Sequence, residues 1–355
     1  MMQKSTVSLI ERYQKSLQNI PSQIREDVNR HGGLSEDALL KLILHPQDHT
    51  IESPLEPNPG AVKIVCDKQT YECGHHTILD GKVAYCILAG GAGTRIGEPK
   101  ALLKLPGLGM SLLTLKLFQS KGSGPIWIVT NDQTRDQIVD HVRSQVGLDQ
   151  DRIKFINQYQ SYRLTPDNQI SFKENGEIDL YPCGHGDLFP ALFHSGVLKE
   201  FNRAGGRYVS VVNVDNVLGS LDPLSVGRHV NCAAKVSCEV VEKTDEDSGG
   251  VLCDVHGSLQ IVESFRINGV DPRTFRWLNT NTFIFNSDLE LSSLGKLWNR
   301  VQKKSGDKLV IQHERLLQEI TSVFETCYFK VERIDRFFPI KTMHDLKQAS
   351  KRVSY

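Results

Sequence analysis

A short apolar run that leads directly into a glycine-rich segment constrains the fold of this chain more than any other feature. The run Val83–Leu88 has the length of a β-strand and no polar alternation, which is typical of a strand buried on both faces of a parallel sheet. Similar runs follow at 125–130, 152–156 and 207–213, with helical segments between them. This alternation predicts an α/β fold around a mostly parallel sheet.

The remaining segments predict smaller elements. Ile10, Tyr13, Leu17 and Ile20 follow helical spacing, and Leu39–Leu44 reads as a second helix capped by Ser35. A Pro- and Gly-rich stretch then predicts a linker. We therefore expect three parts, which are an N-terminal helical segment and linker (1–60), a main α/β domain (61–346) and a C-terminal tail (347–355).

Beyond about residue 221 the pattern predicts short strands and one long helix. The strands are expected at 234–241, 250–254, 259–267 and 283–285, and the helix at 309–324. Lys303 and Lys304 are expected on a solvated helix face or turn.

The charge balance and the hydrophobic pattern exclude several classes of protein. The 355 residues contain 42 Lys and Arg and 42 Asp and Glu, so no polybasic field attracts nucleic acid or anionic lipid. No apolar run reaches the ~18–20 residues of a membrane-spanning helix, and the N-terminal residues carry charge where a signal peptide is apolar. We expect a cytoplasmic protein that binds neither nucleic acid nor membrane. Its eight cysteines are expected to be reduced thiols, mostly buried.

The glycine-rich segment predicts a phosphate-binding loop. Its sequence is Leu88-Ala-Gly-Gly-Ala-Gly-Thr-Arg-Ile-Gly-Glu-Pro-Lys100, directly after the apolar run. Glycines let the backbone amides approach an anion, and Arg95 and Lys100 add positive charge. The P-loop pattern and the dinucleotide fingerprint are both absent. A plain strand-to-helix turn with exposed charges is the less favoured interpretation.

Two further polar segments are candidates for ligand contacts. Tyr181–Phe189 places His185 and Asp187 among glycines, where a flat base or a sugar could pack against the main chain, although a solvent turn fits about as well. In Val211–Asn216 an apolar strand ends in Asn213 and Asp215. A carboxylate at the carboxyl end of a parallel strand can hold Mg²⁺ against phosphate oxygens, and helix capping is its alternative role.

The polar clusters of the chain form an ordered series. They are the glycine loop with Pro99-Lys100, Asn157-Gln158, Pro182–Asp187, Asn213–Asn216, Glu239–Thr244 with Gly249-Gly250, Glu263, Leu278–Asn281, Val310–Gln312 and Phe337–Lys341. In the same order, over about residues 80–346, these motifs resemble those of the UDP-glucose pyrophosphorylase family, the eukaryotic-type sugar-nucleotide pyrophosphorylases.

The resemblance implies a fold, a reaction and its partners. It implies a Rossmann-like nucleotidyltransferase core, similar to glycosyltransferase A, with a mostly parallel mixed sheet. The implied reaction joins UTP and a sugar 1-phosphate, glucose 1-phosphate being the first choice, into a UDP-sugar and pyrophosphate with Mg²⁺. Such chemistry needs cations and in-line positioning rather than a protein nucleophile.

The resemblance also implies roles for individual residues. Arg95, Lys100 and Lys341 are implied as catalytic cations on the phosphates, and Asp215 as the metal ligand. The residues implied to bind the nucleotide are Ala89, Gly90, Gly91, Gly93, Gln158, Gly184 and His185. Those implied to bind the sugar phosphate are Asn213, Lys243, Glu263 and Asn281.

Departures from the family pattern leave alternatives open. Ala89 and Arg95 are closer to the loop of UDP-N-acetylhexosamine enzymes, and Asn279-Thr-Asn-Thr282 stands where a further asparagine is usual. Longer members continue into a C-terminal β-helix used in association, so we expect a monomer or a dimer here. Some shortened relatives activate cyclitol phosphates such as valienol 1-phosphate, so a GTP- or UTP-dependent nucleotidyltransferase for such a substrate is the alternative.

Two other classes of protein are alternatives to an enzyme of this family. One is a noncatalytic sugar-nucleotide sensor, which the presence of the cationic positions disfavours. The other is a zinc protein built on Cys66, Cys73, His75 and His76, whose spacing matches no common zinc pattern.

Overall fold

The computed structural model describes residues 2–30, 32–91, 93, 98–120, 122–290, 294 and 297–353. The helices are α1 Met2–Leu17, α2 Ser22–Val28, α3 Glu36–Leu44, α4 Lys68–Leu79, α5 Leu112–Phe118, α6 Arg135–Arg143, α7 Leu188–Ser195, α8 Val197–Arg203, α9 Pro223–Asn231, α10 Ile320–Val323, α11 Arg333–Arg336 and α12 Met343–Ala349. Within these residues, none of the helices has both the length and the apolar character needed to cross a membrane.

The strands are β1 Ile51–Glu52, β2 Val62–Lys63, β3 Val83–Leu88, β4 Ile126–Thr130, β5 Ile153–Asn157, β6 Gln160–Tyr162, β7 Leu180–Pro182, β8 Tyr208–Asn213, β9 Val236–Glu242, β10 Gly250–Val255, β11 Ser258–Glu263, β12 Ile267–Asn268, β13 Trp277–Asn286, β14 Asn299–Ser305, β15 Lys308–Glu314 and β16 Thr326–Lys330. The described residues form two compact units. The first comprises 1–49, 158–194 and 292–317, and the second comprises 50–157, 195–291 and 318–355. The predicted boundaries at 60/61 and 346/347 stay predictions.

The second unit contains the main sheet. Its strand order is β2-β16-β9-β13-β8-β3-β4-β5, with β10 and β11 added beside β13. All neighbours along this order pair in parallel except β13, which is antiparallel to β8 and β9. The predicted α/β class with a mostly parallel mixed sheet is therefore confirmed.

The predicted strand Val83–Leu88 lies in the middle of this sheet. All six of its residues are buried, and β4 and β8 pair with it on its two sides. Ile87, Leu113, Ile128 and Val212 belong to the hydrophobic cluster that packs around these strands. The register aligns Leu88 with Asn213 and with Val129, so the strands end together at one edge. Open α/β sheets bind their ligands at such an edge.

The first unit has its own hydrophobic core. Helices α1 to α3 and the short β6–β7 and β14–β15 pairs contribute to it. Tyr13, Leu39, Tyr162 and Ile311 are among its buried members. The predicted cap of α3 is confirmed, because the side chain of Ser35 accepts a hydrogen bond from the Ala38 amide at 3.3 Å.

The predicted helix over 309–324 is wrong. Residues 308–314 form β15, antiparallel to β14, and only a short turn and the four-residue α10 follow. Val310 is β-branched like Ile311, and both are buried, as strand pairing requires. Lys303, predicted on a helix face or turn, lies in β14 and pairs with Glu314.

Candidate functional site

The glycine loop continues directly from β3. The Ala89 amide donates to the carbonyl of Val129 at 2.8 Å, which extends the sheet by one hydrogen bond. The side-chain amide of Asn131, a buried residue after β4, donates to the carbonyl of Gly90. The Lys100 amide donates to the carbonyl of Gly91 at 3.1 Å and closes the loop. Sequence reasoning missed Asn131, whose only signal was its position directly after a buried strand.

Among the described loop residues, Gly93 is a position that requires glycine. Its φ is +59°, and a Cβ atom there would lie 1.9 Å from the carbonyl oxygen of Glu98. Any side chain would force this part of the loop open. Arg95, predicted to contact phosphates, lies outside the described residues, so its role stays a prediction.

Lys100 and Asp215 meet at the carboxyl edge of the sheet. The Nζ atom of Lys100 lies 2.6 Å from Oδ2 of Asp215 and 3.3 Å from the carbonyl oxygen of Ile340. Both side chains are partly exposed, at 28% for the lysine and 19% for the aspartate. The predicted phosphate cation and the predicted metal ligand are thus brought together, within reach of solvent.

Hydrogen bonds hold the C-terminal motif, Phe337–Lys341, against the turn that contains Asp215. The Ile340 amide donates to the carbonyl of Asp215 at 2.9 Å. The side chain of Asn216 donates to the carbonyl of Arg336 at 3.0 Å and accepts from the Phe338 amide at 2.9 Å. These bonds place the backbone next to Lys341 beside Asp215, while the Lys341 side chain is exposed.

A buried lysine supports this turn from behind. Lys116 of α5 is fully buried, and its Nζ donates to the carbonyl oxygens of Asn216, at 2.5 Å, and of Gly219. Burial, followed by the nearby Arg336 guanidinium, lowers the pKa of Lys116 to about 7. The sequence offered no sign of this role, because Lys116 lies within an apolar helix.

Asn213 and Asn281 form a second polar pair at the carboxyl end of β8. The Nδ2 atom of Asn281 donates to Oδ1 of Asn213 at 2.8 Å. Asn281 has a φ of +59° and lies where the pairing register of β13 shifts between Asn279 and Phe283. Its Oδ1 is buried and has no hydrogen-bond partner among the described residues.

Glu263 lies at the end of β11 opposite Gly250. Gln318 donates its Nε2 hydrogen to Oε1 of Glu263, and the buried Oε1 of Gln318 has no hydrogen-bond partner among the described residues. Burial raises the pKa of Glu263 above its ordinary value, although Gln318 and Arg266 oppose the shift. A Cβ atom on Gly250 would lie 3.5 Å from the Glu263 carboxylate. The sequence analysis missed Gln318.

Lys243 contacts residues other than the Lys100–Asp215 and Asn213–Asn281 pairs. Its Nζ atom lies 3.4 Å from the carbonyl oxygen of Arg273, in a surface depression whose lining includes Thr244 and Arg276. The contacts described for Lys243 involve neither Asp215 nor Lys100. Its predicted contact with the sugar phosphate stays a prediction.

The first unit positions the residues predicted to bind the base. The Nε2 atom of Gln158 donates to the carbonyl of Gly184 at 2.9 Å. Gly184 has a φ of +95°, and a Cβ atom there would lie 2.4 Å from the carbonyl oxygen of Arg315. The two predicted residues are therefore in direct contact. Nδ1 of His185 accepts a hydrogen bond from the Leu317 amide at 2.8 Å.

Asp187 is a candidate for ligand contact in the same loop, with a solvent turn as the alternative, and both interpretations are wrong for its side chain. Its side chain is fully buried, with Oδ1 2.8 Å from Nη1 of Arg315 and Oδ2 accepting from the Tyr159 amide at 2.8 Å. Burial raises the pKa of Asp187 to about 7 against the opposing charge of Arg315. A carboxylate in this environment requires a buried cation, so Asp187 holds the fold of the loop.

The chemistry of these groups suits a phosphate-bearing ligand with a divalent cation. Asp215 offers a carboxylate at a solvent-accessible sheet edge, the kind of oxygen ligand that Mg²⁺ takes together with substrate phosphates and water. Lys100 holds a compact positive charge beside it. The residues present therefore fit a magnesium ion held by one protein carboxylate.

Comparison with known proteins identifies the family. The family model described as UTP–glucose-1-phosphate uridylyltransferase matches residues 47–353. The chain belongs to this family.

The most similar curated relatives include members named for two different sugars. UDP-N-acetylhexosamine pyrophosphorylase-like protein 1 of Mus musculus is 30% identical over 61% of this chain and 47% of its own length. UTP–glucose-1-phosphate uridylyltransferase of Solanum tuberosum is 27% identical over 83% of this chain and 63% of its own. The chain spans about half the length of the first curated relatives that it matches.

Solved structures share the fold. A point mutant of UDP-glucose pyrophosphorylase from Leishmania major, in complex with UDP-glucose, superposes with a TM-score of 0.72 at 21% identity, covering 95% of this chain and 77% of that one. The structure of a UDP-glucose phosphorylase from Trypanosoma brucei superposes with a TM-score of 0.73 at 22% identity, covering 97% of this chain and 78% of that one. The family fold is therefore present over nearly the whole chain.

Proposed function

We propose that the protein is a nucleotidyltransferase that makes a UDP-sugar and pyrophosphate from UTP and a sugar 1-phosphate. The observation that carries the proposal is the meeting of Lys100, Asp215 and the Ile340 backbone at the carboxyl edge of the sheet. Three segments that are distant in the chain meet there. They supply the cation of Lys100, the carboxylate of Asp215 and the backbone that precedes Lys341. Family membership names the reaction class that such a site serves.

The proposed reaction is an in-line displacement at phosphorus. An oxygen of the sugar phosphate attacks the α-phosphorus of UTP, and the bond to the bridging β-phosphate oxygen breaks. Pyrophosphate leaves with that electron pair. Both reactants are anions, so catalysis needs positive charge and orientation more than a nucleophilic side chain.

Each residue of this edge has a proposed task. Backbone amides of Gly90, Gly91 and Gly93 face the phosphates, and Lys100 neutralises charge that develops on them. Lys341 is proposed to do the same from the C-terminal motif, as is Arg95 from the loop. Mg²⁺ bound at Asp215 would supply charge neutralisation and orientation of the phosphate oxygens.

The nucleotide base is proposed to be uracil. Gln158 and Gly184, in contact in the first unit, are the residues assigned to it by the family pattern. An amide side chain and a main-chain carbonyl can match the alternating donors and acceptors of a base edge. A wrong base would leave the remaining donors and acceptors of this pair unmatched, which costs about 1–3 kcal/mol for each such group.

The sugar is proposed to be a hexose, with glucose 1-phosphate as the first substrate to test. Asn281 Oδ1 and Gln318 Oε1 are buried acceptors without partners among the described residues, and Glu263 is a buried carboxyl. Acceptors of this kind bind hydroxyl groups, which all sugars supply. The mouse relative is named for N-acetylhexosamines and the potato relative for glucose, so both sugars belong in the test.

The deciding experiment is a matrix of nucleoside triphosphates against sugar 1-phosphates, scored by pyrophosphate release. We expect release from UTP only when a hexose 1-phosphate is added, and only with a divalent cation. A clear kcat/KM preference for GTP over UTP would favour the cyclitol phosphate alternative. If no combination turns over while UDP-sugars still bind by calorimetry, the protein is a noncatalytic sensor.

A further inference from the structure

Two cysteines of the second unit lie together away from the candidate site. Cys327 is in β16, which lies between β2 and β9 in the sheet, and Cys232 directly follows α9. The Cys232 thiol is within hydrogen-bonding reach of the Cys327 sulfur. It also approaches the carbonyl oxygens of His229, at 3.1 Å, and Ala234, at 3.6 Å. Both cysteines are partly exposed.

A lysine from the edge strand faces one of the two sulfurs. Nζ of Lys63 in β2 lies 3.5 Å from Sγ of Cys327. The hydrogen bond from Cys232 and the ammonium of Lys63 both lower the pKa of Cys327, against the effect of its partial burial. The pKa of Cys232 is raised, because it keeps its proton in that hydrogen bond and is partly buried. The Lys63 ammonium, 3.5 Å from Cys327, therefore favours the thiolate at Cys327 over the thiolate at Cys232.

The other cysteines differ from this pair. Cys86, Cys183, Cys238 and Cys253 are buried, and burial raises the pKa of each. Cys66 is exposed. Among the cysteines, Cys232 and Cys327 are thus the pair in which a thiolate, a neighbouring thiol and solvent access coincide.

We propose that Cys327 and Cys232 form a reversible redox pair that hydroperoxides convert into a disulfide. The Cys327 thiolate attacks the terminal oxygen of the peroxide, which breaks the O–O bond and gives a sulfenic acid and water when the oxidant is hydrogen peroxide. The Cys232 sulfur then attacks the sulfenic sulfur, forming the S–S bond and releasing a second water. Two thiols and one peroxide become one disulfide and two waters. A dithiol reductant reverses the step by thiol–disulfide exchange.

The disulfide would connect the end of α9 to β16. Strand β16 pairs with β9. Glu239 in β9 forms a buried ion pair with Arg336 at 2.8 Å. The modification site itself does not depend on the proposed reaction, and it is tested on the chain without substrate.

The first test is mass spectrometry of the native protein treated with one equivalent of hydrogen peroxide. We expect a loss of two hydrogens from the intact mass, a Cys232–Cys327 cross-linked peptide after digestion, and full reversal by dithiothreitol. Cys73→Ser is the matched control, since Cys73 is another partly exposed thiol. Its cross-link yield should equal that of the wild type.

Substitutions within the pair separate the two sulfurs. Cys232→Ser should stop the reaction at the Cys327 sulfenic acid, which dimedone traps. Cys327→Ser should abolish the first step, the attack on the peroxide. Lys63→Gln should slow alkylation of Cys327 by iodoacetamide at pH 7 by at least about threefold. All variants are first checked for a wild-type thermal melt. Oxidation of Cys66 before Cys327, or the absence of the cross-linked peptide in folded wild-type protein, would overturn the proposal.

Discussion

Nζ of Lys100 lies 2.6 Å from Oδ2 of Asp215, although 115 positions separate the two residues in the chain. Each of these charges compensates the other. A bound cation at Asp215 and a bound phosphate at Lys100 would give each charge a new partner. Under the proposed function, the pair holds two side chains in place for a ligand that carries both charges.

Removing either member of this pair should lower activity far more than stability. We expect Lys100→Ala, Asp215→Ala and Lys341→Ala each to lose at least about tenfold in kcat/KM. Removing a lysine that stabilises transition-state charge typically costs about 2.7–4 kcal/mol, and Asp215→Ala removes the carboxylate that would hold Mg²⁺. Circular dichroism and thermal melts should match the wild type. Lys199→Ala, an exposed lysine of α8, is the control and should keep full activity. Full activity of Lys341→Ala would refute a role for the C-terminal motif.

Closure of the glycine loop should depend on the absence of a side chain at Gly93. Gly93→Ala would place a Cβ atom 1.9 Å from the Glu98 carbonyl, so the loop must open. We expect UTP affinity to fall at least about tenfold, measured by isothermal titration calorimetry. Gly107→Ala is the matched control, because Gly107 also has a positive φ but has open space around its Cβ position. If both variants bind UTP like the wild type, the loop does not contact the nucleotide.

Asn281 should affect the sugar phosphate and leave the nucleotide unaffected. Asn281→Gly keeps the backbone at a φ of +59° and removes the amide that contacts Asn213. We expect the KM for the sugar 1-phosphate to rise about tenfold, with the KM for UTP within about twofold of the wild type, in steady-state assays. Asn168→Gly, at a φ of +62°, controls for the backbone change. An equal rise in both KM values would contradict the assignment.

The ion pair of Asp187 and Arg315 should matter strongly for folding. Both side chains are buried, at 0% and 7% exposure, so Arg315→Met would leave a carboxylate without its cation. We expect the free energy of unfolding to fall by about 3–5 kcal/mol in urea titrations. Arg273→Met removes one member of an exposed pair with Asp271 and should leave the free energy of unfolding close to that of the wild type. Similar losses for both variants would show that burial does not govern the cost.

His229 should make the protein less stable as the pH falls. Burial between Ser237 and Asn286 lowers its pKa to about 4, whereas an unfolded histidine titrates near 6.5. As the pH falls from about 6.5 to 4, His229 binds a proton in the unfolded chain and stays neutral in the folded protein. The free energy of unfolding should therefore fall by up to about 1.4 kcal/mol per pH unit.

The matched variant for this prediction is His229→Gln, which keeps a hydrogen-bonding side chain without a titrating ring. Its urea-derived stability should change less steeply between pH 5 and 6, by up to about 1.4 kcal/mol per pH unit. His75→Gln, at an exposed position, should keep the wild-type slope. An unchanged slope in His229→Gln would show that this histidine does not carry the pH dependence.

Local patterns in the sequence were sufficient for much of the fold. Val83–Leu88 could be predicted as a buried strand because strand length, apolar content and the following glycines are all local properties. The N-terminal cap at Ser35 depended on neighbouring residues in the same way. The prediction failed at 309–324, where pairing with β14 overrides an apolar spacing that also suits a helix. Strand pairing is a nonlocal interaction, so spacing alone could not reveal it.

The sequence by itself determined which residue types are available and their order along the chain, and so the family and many of the residues proposed for the candidate site. Only the tertiary structure decided which of them meet. It paired Lys100 with Asp215, buried Asp187 against Arg315, and placed Lys116 behind the Asp215 turn. In an isolated sequence a polar residue has the same chemistry whether its partner is water or another side chain. Burial and long-range packing select between these partners, and they exist only in the folded chain.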